Sequence, residues 1–196
     1  MNTLALTKTY SAPPVCHSEI MRYARCKNPD SNVLALCNEC INEVKDSLVF
    51  KVSYIELPLK ITDNVCDFGA FAVKSNDLTR NLEGCKSVVV FAATIGVAPD
   101  RLVAKYSRIS PAKALMHQAI GVERIESLCD MFQNDLKATH NISEKPRFSA
   151  GYGDLPLNTQ IDIFNVLNCA KTIGLTLNDN LIMSPSKSVT AFIGVL

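Results

Sequence analysis

The sequence predicts an α/β fold of the α+β kind, a mainly antiparallel mixed sheet flanked by helices, and three patterns predict it. Apolar residues recur at the three-to-four residue step of a helix over 31–48 and 110–137. They alternate at period two over 51–61 and again at Val189, Ala191 and Ile193. Between these lies Lys86 to Ala93, a nearly continuous valine-rich run that belongs mid-sheet and needs cover on both faces.

Taken in order, residues 1–17 read as an irregular segment broken by Pro13 and Pro14, and Glu19 to Cys26 offers a short helix. Ser31 is the expected cap of an amphipathic helix that buries Val33, Cys37, Ile41, Val44 and Leu48 and turns Glu39, Glu43 and Lys45 outward. A strand follows over Lys51 to Ile61, with Ile55, Leu57 and Leu59 on one side, bent or at an edge near Pro58. A second extended stretch, Val65 to Val73, has Gly69 at its centre. Ser75 opens a short helix that Gly84 closes ahead of the valine strand.

Thr94, Ile95 and Gly96 then turn the chain, and Pro99 starts a helix that Pro111 interrupts. This junction fits either a plain strand-to-helix turn or an anion site at a helix start. The next helix, Ser110 to about Lys137, carries Leu115, Ala119, Val122, Cys129 and Leu136 on one stripe, and Glu126 falls on it too. A carboxylate on a buried face needs a partner, either a core arginine or a loop to cap, or else a ligand ammonium or Arg147. Asn158 to Gly174 forms a further helix, and a strand, a turn through Ser184 to Ser188 and a last strand finish the chain.

The chain of 196 residues fits a single domain, 1–196, able to bury roughly 70% of its unfolded surface. A hydrophobic share of 47% with 20% charged residues suits a compact protein, and a net charge of +1 offers no field for nucleic acid or anionic lipid. Leu4, Ala5 and Leu6 are too few for a signal-peptide core, and no run reaches the ~18 apolar residues of a membrane span. A cytoplasmic location is expected. The eight cysteines read as thiols in apolar runs. Cys37 and Cys40 form a C-x-x-C inside a helix, with no second pair to close a zinc site, so no metal site is expected.

The richest run is Arg147 to Leu157, with Gly151 and Gly153 for positive φ, Pro156 before a helix, and Arg147 as a donor fork suited to a carboxylate. The same run also fits a helix-to-helix turn whose Tyr152 packs on the core and whose Arg147 caps carbonyls. No Gly-x-Ser-x-Gly elbow, His-Glu-x-x-His helix or P-loop is present, so no catalytic residue is assigned. His17, His117 and His140 stand in unrelated contexts, better suited to surface or satisfied histidines than to ligands.

Arg147-x-x-x-Gly151-Tyr152, followed by Ile173 to Gly194, resembles the activation domain of cobalamin-dependent methionine synthase, in particular its free-standing relatives. Glu19 to Lys27, Asn81 to Gly96 and Gly121 to Asp130 agree, so the likeness covers most of the chain and is sharpest in its last fifty residues. The resemblance implies binding of S-adenosylmethionine (AdoMet) and a part in the reductive methylation that rescues an oxidised cobalamin. It implies AdoMet contacts at Arg147, Ser149, Gly151, Tyr152, Gly153 and Asp154, with Glu126 and Asp154 as acceptors for the ammonium.

No histidine stands in the Asp-x-His-x-x-Gly setting of cobalamin modules, so the corrinoid is expected only through a partner. The implied partner is a methionine synthase or its cobalamin module, served by a flavodoxin-type electron donor. The acidic aromatic segment that opens the family's longer domain has no counterpart here, nor has its tyrosine-bearing end, so fewer AdoMet contacts and weak binding are expected. Two other readings remain: a corrinoid-protein interaction module that has lost AdoMet, and an unrelated enzyme that uses the Arg147 loop for a small carboxylate.

Overall fold

The structure is a computed structural model and describes residues 4–140 and 145–196. In chain order the elements begin with β1 (Leu6–Thr9), α1 (His17–Tyr23), α2 (Ser31–Val44) and β2 (Lys51–Pro58). Next come β3 (Lys60–Thr62), β4 (Val65–Asp67), β5 (Ala72–Lys74), α3 (Asn76–Asn81) and β6 (Ser87–Thr94). The rest are α4 (Ala98–Tyr106), α5 (Pro111–His140), α6 (Thr159–Leu167), α7 (Cys169–Thr172), β7 (Thr176–Leu177), β8 (Met183–Ser184) and β9 (Ser188–Val195).

The main sheet runs β1-β2-β6-β9, each neighbouring pair antiparallel, so the predicted class is the observed one. Because side chains alternate across a strand, the valines of β6 supply two cores at once. Val88, Val90 and Ala92 face Leu78, Leu82, Ile163 and Leu167, while Val89, Phe91 and Ala93 face Ile125, Leu128, Cys129 and Phe132 of α5. A third core, under α1 and α2, joins Ile20, Cys37, Cys40 and Val44 to Met116, Ala119 and Ile120. At 30 residues α5 is about 45 Å long, so its inner face serves the helical layer at one end and the sheet at the other.

That division corrects the single stripe expected for α5. Leu115 is exposed, Val122 and Glu126 are half-buried, and the buried charges are Glu123 and Arg124. Arg124 donates to both Glu123 oxygens at 2.5 Å and to the carbonyls of Pro13 and Pro14 at 2.6 and 2.7 Å. Glu123 also accepts from the Cys16 N–H at 3.0 Å. The pair therefore fastens the proline-broken segment ahead of α1 to the middle of α5.

Other expectations shift with the tertiary contacts. Residues 6–9, read as irregular, form β1, an exposed edge strand paired with residues 51–54 and anchored through Lys8 and Tyr10 to Asp135. Asp30 rather than Ser31 caps α2, accepting from the Val33 N–H at 2.8 Å. Gly69 sits at φ +76° in the turn between β4 and β5. The helix expected over 158–174 breaks at Asn168, which takes the left-handed conformation that asparagine tolerates. Gly96, at φ +82°, packs where a Cβ would meet Val49 at 2.7 Å, so the Thr94–Gly96 junction is a tightly packed strand-to-helix turn.

The helical layer is pinned at Glu43, which accepts from Lys105 Nζ at 2.9 Å and Tyr106 Oη at 2.8 Å and meets His117 Nε2 at 3.3 Å. The Lys105 hydrogen bond, helped by those of Tyr106 and His117, outweighs partial burial and holds the Glu43 pKa down at about 2. Among the described residues no helix is long and apolar enough to cross a membrane.

Candidate functional site

From Lys145 the chain runs beside β9, the last strand of the main sheet. Lys145 N–H donates to the Gly194 carbonyl at 3.0 Å, and Phe148 exchanges both main-chain bonds with Phe192 at 3.0 and 2.8 Å. Alternation then sends Phe148 to one side of the sheet and Arg147 to the other, toward α5. Glu126, Asp130 and Gln133, spaced four and then three residues apart, share a face of that helix. Arg147 donates to Asp130 Oδ1 at 2.7 Å, to Gln133 Oε1 at 3.2 Å and to Glu126 Oε2 at 3.2 Å. Burial works against the guanidinium charge, but the Asp130 hydrogen bond overcomes it, and the Arg147 pKa rises above its ordinary value.

Beyond Phe148 the chain leaves the strand and folds on itself. Tyr152 N–H donates to the Ser149 carbonyl at 3.2 Å and Gly151 N–H to the Leu155 carbonyl at 2.9 Å, with Gly151 at φ +88° and Gly153 at φ +53°. Gly153 also passes α3 so closely that a Cβ there would collide with the Asp77 carboxylate. Asp154 then docks on the start of α3. Its carboxylate accepts from Ser75 Oγ, from the Asn76 N–H and side-chain amide at 2.8 Å each, and from the Asp77 N–H at 3.1 Å. These bonds, the one from Ser75 foremost, hold the Asp154 carboxyl far below its ordinary value.

Between this loop, α5 and β9 opens a cleft of about 370 Å³, a volume in the range of small-molecule sites. Of the residues expected at a site, Glu126, Arg147, Ser149 and Tyr152 line it. Gly151, Gly153 and Asp154 stand behind the lining, where they shape the loop and tie it to α3. Tyr152 is 68% exposed on the cleft lining, so it does not pack on the core. Among the described residues Arg147 caps no carbonyl; its partners are side chains of α5.

Sequence reasoning missed Gln160, Met183, Ser188 and Thr190, which also line the cleft. Ser188 Oγ is engaged with Thr94 Oγ1 and the Pro185 carbonyl, each at 2.9 Å. Gln160 Oε1 and Thr190 Oγ1 are different: both are buried, and neither has a hydrogen-bond partner among the described residues. A polar residue in the first turn of α6 and one at an inward position of β9 were the available signals. His117 lies buried beneath Tyr106, His17 Nε2 meets Asn38 Oδ1 at 3.0 Å, and the His140 side chain lies outside the described residues. Among the described residues no group of three or more His, Cys, Asp or Glu side chains is placed to hold a metal ion.

No protein-family model matches the chain, and no curated protein sequence matches it. Among solved structures, the chain is similar in fold to the MetH reactivation domain bound to AdoHcy. The TM-score is 0.67 at 13% identity, over 98% of this chain and 78% of that one. At that identity the likeness is one of fold, the same mixed arrangement of antiparallel sheet and flanking helices.

Proposed function

We propose that this chain, acting as one domain over 1–196, binds AdoMet in the cleft beside β9. There it serves the reductive methylation of oxidised cobalamin on a separately encoded methionine synthase. One observation carries the reading: Arg147, a permanent cation, lies in a cleft of ligand size, in a fold similar to that of a solved domain bound to AdoHcy. AdoMet pairs a carboxylate with an ammonium and a sulfonium, and the lining matches those demands. Arg147 supplies the donor fork for the carboxylate and Glu126 the acceptor for the ammonium. Tyr152 and the carbonyls near Ser149 supply an electron-rich surface for the sulfonium. Gly151, Gly153 and Asp154 contribute by holding the loop in shape against α3.

Bound AdoMet would supply the methyl group and leave as AdoHcy, and a flavodoxin-type donor would supply the one electron that reductive methylation of the partner's oxidised corrinoid requires. The work of this chain is to orient the donor. Calorimetry tests the reading. AdoMet alone is expected to bind at about 0.1 mM or weaker, because few contacts offset the ordering cost. Affinity is expected to rise several-fold when a cob(II)alamin-bearing methionine synthase module is added, with reciprocal tightening of the protein complex. A complex whose stability ignores AdoMet would favour an interaction module without the nucleoside. Binding of small carboxylates but no complex at tens of micromolar would favour an unrelated enzyme.

A further inference from the structure

We propose that Gln160 and Thr190 are the specificity pair of the cleft, receiving the hydrogen-bond donors of the nucleoside end of the ligand while Arg147 takes its carboxylate. The proposal rests on the AdoMet reading and adds to it which end of the ligand lies where. Gln160 is 6% exposed and Thr190 2%, and the unpartnered Oε1 and Oγ1 both belong to side chains of the cleft wall. Most buried side-chain polar atoms in folded proteins have a partner, so two orphans around one cavity mark a place where the partner comes from outside. Their neighbours show the contrast. Ser188, on the same face of β9, spends its hydroxyl on Thr94 and Pro185.

The main chain points the same way. Phe192 exchanges both of its bonds with Phe148, and Gly194 accepts from Lys145, so the even-numbered residues of β9 direct their main-chain groups to the free edge. Thr190 is the next such residue, and among the described residues its N–H and C=O meet no partner strand, because residues 149–152 have curled onto themselves. The floor therefore offers acceptors at Gln160 Oε1 and the Thr190 carbonyl, a donor at the Thr190 N–H, and a hydroxyl that serves as either. A carboxylate, all acceptor, suits the Arg147 end, where the guanidinium offers only donors. An adenosyl group carries an exocyclic amine beside ring acceptors and a vicinal diol, the mixture this floor completes.

The test uses the full chain, with adenosine and S-adenosylhomocysteine as calorimetric probes and Thr190→Val, Gln160→Met and Arg147→Met as variants. Thr190→Val and Gln160→Met are each expected to weaken both probes about tenfold, the loss of one good hydrogen bond. Their melting temperatures without ligand are expected to equal or exceed wild type, because each removes an unpaired buried polar atom. Arg147→Met is expected to weaken S-adenosylhomocysteine and spare adenosine. Wild-type affinity for both probes in the Thr190 and Gln160 variants overturns the pair and leaves the AdoMet reading standing. A melting temperature that drops in those variants also overturns it, since the polar atom then has a partner inside the protein. Failure of the wild-type chain to bind either probe, both alone at millimolar concentrations and with a methionine synthase module added, removes the AdoMet reading and the pair with it.

Discussion

Arg147 donates to Asp130 Oδ1 at 2.7 Å from the edge of the sheet to the outer face of α5, so the cation that a ligand carboxylate would seek is already partnered. A bound carboxylate must compete with Asp130. Because the Asp130 side chain is 65% exposed, that competition is weak. Asp130→Asn is therefore expected to tighten AdoMet a few-fold, whereas Arg147→Ala should cost about 2 to 4 kcal/mol of affinity with little change in melting temperature. Titration calorimetry on both variants checks it; equal affinity in wild type and Arg147→Ala removes Arg147 from the site.

Asp154 is expected to act on the ligand through the loop. It accepts four bonds at the start of α3, and Asp154→Ala unfastens the loop from that helix. The variant should melt a few degrees lower and bind AdoMet less tightly. Asp154→Asn, which keeps acceptor oxygen, should recover part of both. A variant with wild-type melting and lost binding would instead place Asp154 in direct contact with ligand.

The buried pair Glu123 and Arg124 should be the most sensitive charge in the protein. Arg124→Met leaves Glu123 buried without its cation and frees the Pro13 and Pro14 carbonyls, at an expected cost of about 3 to 5 kcal/mol in chemical denaturation. Replacing both residues by apolar ones of similar volume should cost much less than either single change. Double-mutant analysis of urea unfolding measures the difference.

Acid sensitivity should centre in part on Glu43. Its folded pKa of about 2 lies below the ordinary 4.5, so its contribution to stability is fully present above pH 4.5. That contribution fades as pH falls toward 2, because the unfolded chain takes up the proton first. Glu43→Gln should be less stable than wild type at neutral pH, and its stability should fall less steeply between pH 4.5 and 2. Parallel slopes in the two proteins would show that the Glu43 cluster with Lys105, Tyr106 and His117 carries no such linkage.

Cys37 and Cys40 lie fully buried on the inner face of α2, and burial is the main cause that raises both thiol pKa values, that of Cys40 to about 11. Neutral, packed thiols behave as small hydrophobes. Replacing both with alanine should cost about 1 kcal/mol per site and leave partner-dependent activity intact. Stoichiometric zinc in chelator-free protein, absent from the double variant, would contradict this.

Local pattern alone determined the class of this protein, because periodicity is a property of neighbouring residues. The valines of 88–90 demanded a central strand, and Val33, Cys37 and Val44 demanded a helix with one buried face. Arg147, Gly151 and Tyr152 marked the loop, since positive φ and a donor fork can be read from residue type. What the chain folds against could not be read this way. Only the tertiary structure decided that the 30-residue α5 serves two cores, that Glu123 instead of Glu126 is the buried carboxylate, and that Asp154 spends its charge on α3. Thr190 and Gln160 became visible for the same reason. A threonine in a strand and a glutamine at a helix start are unremarked until the fold buries both beside one cleft and gives neither a partner. Whether a polar group is satisfied depends on residues distant in sequence, and only packing brings those residues together.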